Sequence, residues 1–269
     1  MSAPTQTLDA LRREIRRIEH RTPVGVVPNS DAVVTLGCPS VDNAVGGLAP
    51  GAHHLTSEAR ASAAGLGFAV ALAVSSTGPR RPNARLAQAT QGAWSRLLVV
   101  ESTIEAGEHG GVYAPGLRAL GLDPDRVAYA LTKSDAESLR VAHEAVRAGV
   151  ADVIVRLYRS TELDMTAGRQ LTLAAMESGT FLYVCSPPVG GSTGMSTRWL
   201  IETAASGRAR RSGRTRLLGP PNFRVTLEKN VNGRPGGPWT LEWRGGTFWP
   251  AAAPARTSPG KAVTDSAAA

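Results

Sequence analysis

The residues Gly51 to Thr77, GAHHLTSEARASAAGLGFAVALAVSST, are laid out as a phosphate-binding apparatus would be: a short strand (Ala52 to Ser57), a tight loop, and a helix of small and apolar residues from about Ser62. A helix N-terminus fed by a strand and loop suits phosphate because its first N–H groups have no partner within the helix. The Walker pattern adds glycines that let the backbone curl around phosphate, a Lys for the outer phosphates, and a Ser or Thr for Mg²⁺. The eight loop positions here read Glu58-Ala59-Arg60-Ala61-Ser62-Ala63-Ala64-Gly65. A carboxylate stands at the first glycine and would repel phosphate. Ala64 fills the lysine position and Gly65 the hydroxyl position. The expectation is an NTPase scaffold that has lost its nucleotide grip, with no catalytic residue, no cofactor and no metal.

Other chemistry-bearing residues form no recognisable set. The five histidines (His20, His53, His54, His109, His143) have no metal-ligand spacing. His53 and His54 are adjacent on a strand, where successive side chains face opposite ways, so they are not expected to share a ligand. No Ser/His/Asp or Cys/His arrangement can be placed. Cys38 and Cys185, far apart in sequence, read as reduced thiols of a cytoplasmic protein.

The elements that would position such residues alternate. Val33 to Leu36 reads as a short strand and Ser40 to Val45 as a one-turn helix, with turns at Gly46-Gly47 and Pro50-Gly51. After the helix of 62–77, GPRRPNARLAQATQGAW is a polar surface excursion. Arg96 to Glu101, Val127 to Ala130, Val153 to Val155 and Phe181 to Val184 read as strands. Between them, Ser134-x-x-Glu137 is a capping box for a helix closed by Gly149, and Asp164 to Ser178 is a second helix. This alternation predicts an α/β fold with a mainly parallel twisted sheet flanked by helices. STRWLIET, NFRVTLEKN and PWTLEWR alternate apolar and polar residues, as half-exposed C-terminal antiparallel strands do, with a hairpin tip at Asn230–Gly236.

The ends differ from this core. Residues 6–20, QTLDALRREIRRIEH, place Leu8, Leu11, Ile15 and Ile18 on one stripe of an amphipathic helix. Thr22-Pro23 breaks it. The expected organisation is an N-terminal helical arm (1–22), a core with its C-terminal strands (23–249), and a disordered tail (250–269) rich in Ala, Pro, Ser and Thr. The arm folds back on its own core or docks on another molecule.

Hydrophobic content of 42% with 19% charged suits a globular chain of 269 residues. No apolar run reaches the ~20 residues of a membrane span, so no membrane association is expected. The formal charge of +8, with thirty basic residues that are mostly Arg, favours an acidic partner or reflects codon usage that exchanges Lys for Arg. Arg208, Arg210, Arg211, Arg214 and Arg216 lie within nine residues of GRARRSGRTR. They are candidates for weak, nonspecific, salt-sensitive contact with DNA phosphates, or a solvated loop, since no aromatic residue interleaves for base stacking.

The order TLG, Ser40-x-Asp42, Gly46-Gly47-Leu48, Pro50-Gly51, strand, loop resembles RecA-family proteins. More closely, YAPGLRALGLDPDRV, the Ser134–Gly149 helix, ELDMTAGRQLTLAAMESGT and LGPPNFRVTLEKNVNGRPGGPWTLEW resemble the ImuA family, over residues 8–249. That resemblance implies a RecA-like core. It also implies work with ImuB, a polymerase-like protein lacking catalytic carboxylates, and through it with an error-prone DnaE-type polymerase. The nearest confusable relative is the cell-division inhibitor SulA.

Departures from an active recombinase agree with the loop. The metal-binding Asp expected after Val153-Ile-Val155 is replaced by Arg156-Leu157. Glu101 lies near where the family resemblance implies a catalytic Glu, and Tyr113 near where it implies adenine stacking. The two are a relic pocket, or a solvated strand-end carboxylate and an ordinary packed tyrosine. Loops that would contact DNA look cut short, at 158–164 and at Pro187 to Met195. Assembly features are kept: the N-terminal helix, and Lys229-Asn230, which resembles a basic finger but has Val231 at its second lysine. Lys229 is equally readable as a solvated hairpin charge. The resemblance implies a non-catalytic adaptor in DNA-damage-induced mutagenic translesion synthesis that binds ImuB, with RecA and modulation of its filament as a further expectation. Leu8, Leu11, Ile15, Ile18, Lys229 and Asn230 are the expected partner-binding residues. The competing readings are an ATPase of unusual loop chemistry, a SulA-like inhibitor docking on FtsZ, and a basic DNA-binding module.

Overall fold

The computed structural model describes residues 33–57, 62–77, 97–149, 151–206, 211–212, 215–216 and 219–251. The helix expected at 6–20, loop positions 58–61 and the tail beyond 251 lie outside the described residues. In chain order the elements are α1 (Pro39–Val45), β1 (Gly51–Thr56), α2 (Ser62–Thr77), β2 (Leu97–Ser102), α3 (Thr103–His109), α4 (Ala114–Ala119), β3 (Val127–Thr132), α5 (Asp135–Ala148), β4 (Asp152–Arg156), α6 (Met165–Ser178), β5 (Phe181–Ser186), β6 (Thr197–Ala204), β7 (Arg211–Ser212), β8 (Thr215–Arg216), β9 (Asn222–Asn230), β10 (Gly236–Arg244) and β11 (Thr247–Pro250).

Nine strands form one sheet in the order β11-β10-β9-β6-β1-β5-β4-β2-β3. The six from β6 to β3 run parallel, and β9, β10 and β11 extend the sheet antiparallel. This is the α/β, RecA-like architecture expected, with one refinement. STRWLIET was expected to be antiparallel like its successors, but β6 pairs parallel with β1 on one side and antiparallel with β9 on the other. Alternation reports which face is covered, not the direction of the neighbour, so it could not distinguish these. The stretch Val33–Leu36 is reduced to a single bridge between Val34 and Leu48. The final strand runs past Trp249 to Pro250, and Ala251 N still donates to Thr240 O.

Each face of the sheet carries its own core. Ile154, Phe181, Tyr183, Trp199 and Ile201 face α2, whereas Val153, Val155, Leu182 and Val184 face α5 and α6. Alternate residues of one strand therefore serve opposite cores, which is why these strands read as continuous apolar runs. Helix α2 is apolar all round and must be covered all round. The C-terminal strands supply the second cover: the Phe68 ring meets Trp199, Phe223 and Phe248 at 5.1–6.2 Å between centroids. Trp243 Nε1 donates to Leu120 O at 2.9 Å, tying β10 to the turn after α4. The expected caps are in place. Ser134 Oγ accepts from Glu137 N, Asp164 Oδ1 accepts from Ala167 N, and Gly149 closes α5 in the left-handed conformation.

Strand β1, wholly buried, carries the two histidines. His53 Nδ1 lies 2.9 Å from Thr197 Oγ1 and its Nε2 3.0 Å from Ala49 O; His54 Nε2 lies 2.8 Å from Ser186 Oγ. They face opposite sides, and burial drives both pKa values down to about 4. The folded protein thus favours neutral imidazoles, so their contribution is complete above the ordinary histidine pKa and is lost as pH falls through the folded values. Stability should therefore decline between about pH 6.5 and about pH 4, by up to about 3 kcal/mol per histidine. Urea midpoints across this window check it: His54→Gln should show a shallower decline than the unaltered protein, and equal slopes would refute the assignment.

Candidate functional site

In open α/β sheets the ligand crevice lies at the carboxyl ends of the strands. Here that end is made by Ser57 after β1, Glu101 at the end of β2, Arg156 at the end of β4, and Cys185 and Ser186 on β5. Helix α3 follows β2 directly. Ser102 caps it by accepting from Glu105 N at 3.3 Å, while donating to Asp135 Oδ1 at 3.0 Å. This turn aims Glu105 and His109, one helical turn apart, back at the strand ends.

The centre is Arg156, only 2% exposed. Its Nη1 donates to Glu101 Oε2 and, at 2.9 Å, to Gly110 O; its Nη2 meets Glu105 Oε1 at 2.6 Å. Tyr129 donates its hydroxyl to Glu101 Oε1, and His109 Nδ1 lies 2.7 Å from Glu105 Oε2. All four carboxylate oxygens are thereby engaged by protein donors. Desolvation and the bond to Glu101 push the Tyr129 hydroxyl up to about 12. Burial likewise pushes the Cys185 thiol up to about 12, which removes it as a nucleophile near neutral pH.

The phosphate end of the crevice is equally closed among the described residues. Ala64 and Gly65 are buried in the first turns of α2. A Cβ added at Gly65 would lie 3.0 Å from Ser57 Oγ, so a Ser or Thr there would need Ser57 to move. A small hollow between Ser57, Glu105, Arg156 and Ser186 has a volume of about 10 Å³. That is room for one water and far short of a nucleotide. Among the described residues no group of His, Cys, Asp and Glu could hold a metal ion, and no helix is long and apolar enough to cross a membrane. Cys38 and Cys185 are free and buried.

The structure corrects two expectations. Glu101, offered as a solvated strand-end carboxylate, is fully buried and paired, because β4 places a guanidinium beside it. Tyr113, offered as a packed tyrosine, is 71% exposed. Glu105 and Tyr129 went unnoticed in the sequence, and His109 was read only as one of five unclustered histidines; the available signal was the i, i+4 spacing of Glu105 and His109, and an Arg ending an apolar central strand. Of the expected partner-binding residues, Leu8, Leu11, Ile15 and Ile18 lie outside the described residues. Asn230 is committed at the hairpin, its Nδ2 donating to Val45 O at 3.1 Å and its Oδ1 accepting from Asn232 N. Lys229 stands beside the turn after β5, its Nζ 3.4 Å from Ser192 Oγ. Arg208, Arg210 and Arg214 lie outside the described residues, while Arg211 and Arg216 face each other in the two-stranded β7–β8 ladder.

Protein ImuA from two strains of Caulobacter vibrioides is 35% identical to this chain over 143 residues, covering 49% of this chain and 56% of the relative. The similarity supports membership of the ImuA family. The chain spans about half the length of the curated relatives it matches, and no family model matches it. The RecA-like sheet holds an internal Arg–Glu–Glu cluster where the resemblance to an active recombinase implies a metal. Removing one member of such a buried cluster strands the others. Arg156→Met should lower unfolding stability by about 3–5 kcal/mol in urea titration. Adding Glu101→Gln and Glu105→Gln should recover much of that loss, and no recovery would mean that packing, not charge, holds this corner.

Proposed function

We propose that this protein is a non-catalytic RecA-like adaptor in damage-induced mutagenic translesion synthesis. Its partner is an ImuB-type polymerase-like protein, and through it an error-prone DnaE-type polymerase; RecA is a second partner, whose filament the adaptor modulates. The cytoplasm is the compartment such a role requires. The observation that carries the non-catalytic half is Arg156, which binds both crevice carboxylates from the position where a metal-binding Asp would stand. The likeness to Protein ImuA supports the pathway.

This reading makes the closed crevice a structural corner and leaves recognition to the periphery. The N-terminal stripe of Leu8, Leu11, Ile15 and Ile18 is the proposed docking arm, with Lys229 and Asn230 on the hairpin as a second contact. The arginines of the 207–216 segment add weak, nonspecific nucleic-acid contact.

Calorimetric titration with ATP and Mg²⁺ should show no saturable binding in the micromolar range, and Ala64→Lys alone should not create it. Saturable binding that persists in Lys229→Met would sink the non-catalytic reading.

The arm is tested separately. Each large apolar side chain on it is worth ~1.5–3 kcal/mol when fully buried. Leu11→Asp with Ile15→Asp should abolish co-purification with the ImuB-type partner or with RecA while leaving the melting temperature unchanged. A large fall in melting temperature would place the stripe on the protein's own core, and intact binding to both partners would remove the arm from the account.

A further inference from the structure

On the α5/α6 side of the sheet, basic side chains line up across three strands. His54 on β1 is in register with Arg198 on β6, and Arg198 with Lys229 on β9. A bulge sets two residues of β9, Glu228 and Lys229, against Arg198 alone, and bulges of this kind re-aim side chains. Arg198 is charge-paired, although its buried Nε makes no well-formed hydrogen bond. Its Nε pairs with Glu228 at 3.0 Å and its Nη1 donates to Gly191 O. Glu228 therefore balances Arg198 and leaves Lys229 as surplus charge. Among the described residues Lys229 meets no carboxylate, only the Ser192 hydroxyl at 3.4 Å. Partial burial, and then Arg198, lower its pKa, the condition of a cation short of an anion.

The turn after β5 stands over Lys229 in a fixed shape. Gly168 on α6 lets the Thr193 carbonyl approach to 1.7 Å from where a Cβ would sit, and Thr172 Oγ1 donates to Gly194 O at 3.4 Å. Gly191 takes a positive φ of 91°. The N–H groups of Gly190, Gly191 and Ser192 donate to no acceptor among the described residues, and nothing lies within 4 Å of a Cβ built on Gly190 or Gly191. Consecutive free N–H groups around a left-handed glycine form a concavity suited to an anion. Beside this row, the fully buried His54 has an Nδ1 with no hydrogen-bond partner.

We propose that Lys229, the Ser192 hydroxyl and the N–H groups of Gly190 to Ser192 form a binding site for one phosphate group. Lysine supplies charge, the hydroxyl and amides supply directed donors, and the anchored turn reduces the ordering that binding would otherwise require. The site lies on the opposite side of β1 from α2 and uses none of the crevice residues. It shares Lys229 with the second contact of the adaptor reading, but phosphate binding and partner capture are measured separately, so either can fail without the other. The source of the phosphate is free phosphate or the phosphate of a nucleotide.

The test is titration of the full chain with inorganic phosphate at constant ionic strength, following the amide resonances of Gly190 to Thr193. Saturable shifts are expected, with affinity falling by at least about tenfold in Lys229→Met. Ser192→Ala should weaken binding less, and both variants should melt as the unaltered protein does. A repeat with adenosine 5′-monophosphate distinguishes the sources: tighter binding than phosphate identifies a nucleotide, equal binding the free ion. Absence of saturable shifts, or unchanged affinity in both variants, overturns the site.

Discussion

The guanidinium of Arg156 between Glu101 and Glu105 is the constraint from which the crevice takes its form. A charge ending a buried central strand cannot remain unpaired, because the cost of removing it from water exceeds what local packing returns. The requirement propagates outwards. Glu105 must point inwards, so α3 must start immediately after β2, and Ser102 is placed to cap it. Arg156 also takes the Gly110 carbonyl, which fixes where the chain leaves α3. Tyr129 is drawn in from the edge strand to complete Glu101. One residue at a metal-binding position thus sets the course of three neighbouring segments.

Such a cluster contributes position more than net stability. A well-packed apolar replacement of a buried ion pair is often no less stable, whereas loss of a single member is severe. The cluster is therefore a poor account of why the domain is stable. The two apolar cores supply that, especially the one around α2. A helix without a polar face needs cover on both sides, and the sheet provides only one. The antiparallel extension through β9, β10 and β11 provides the other, with Phe223 and Phe248 packed on Phe68 and Trp243 packed on Phe248. The C-terminal strands are part of the core domain for this reason.

Much of this was legible in the residues themselves. Caps are local chemistry, so Ser134, Gly149, Asp164 and the helices they bound could be read directly. The central strands were legible as apolar runs because each serves two cores. What was missed depended on distant partners. ESTIEAGEHGG is polar and holds a glycine mid-helix, so α3 carries almost no local helical signal; Arg156, on a strand far along the chain, gives Glu105 its reason to face inwards. Glu101 was misjudged for the same reason: whether a strand-end carboxylate is solvated depends on the adjacent strand. β11 is short, and Phe248 N pairs with Leu36 O from the far end of the chain, a contact no local pattern announces.

The distribution of satisfied and unsatisfied polar groups separates two regions that the sequence presents alike. Both the crevice and the turn after β5 combine glycines, hydroxyls and basic residues near strand ends. In the crevice every carboxylate oxygen and the guanidinium find protein partners, so a ligand arriving there would have to displace bonds already made. At the turn the reverse holds. Glu228 balances the charge of Arg198 and Gly191 O accepts from it, but Lys229 and three consecutive backbone N–H groups retain their donors. Protein donors left open beside a surplus charge lose little on meeting an acceptor and gain a charge-assisted bond. The motif-bearing end of this sheet is the chemically closed one, and its open donors lie on the opposite face.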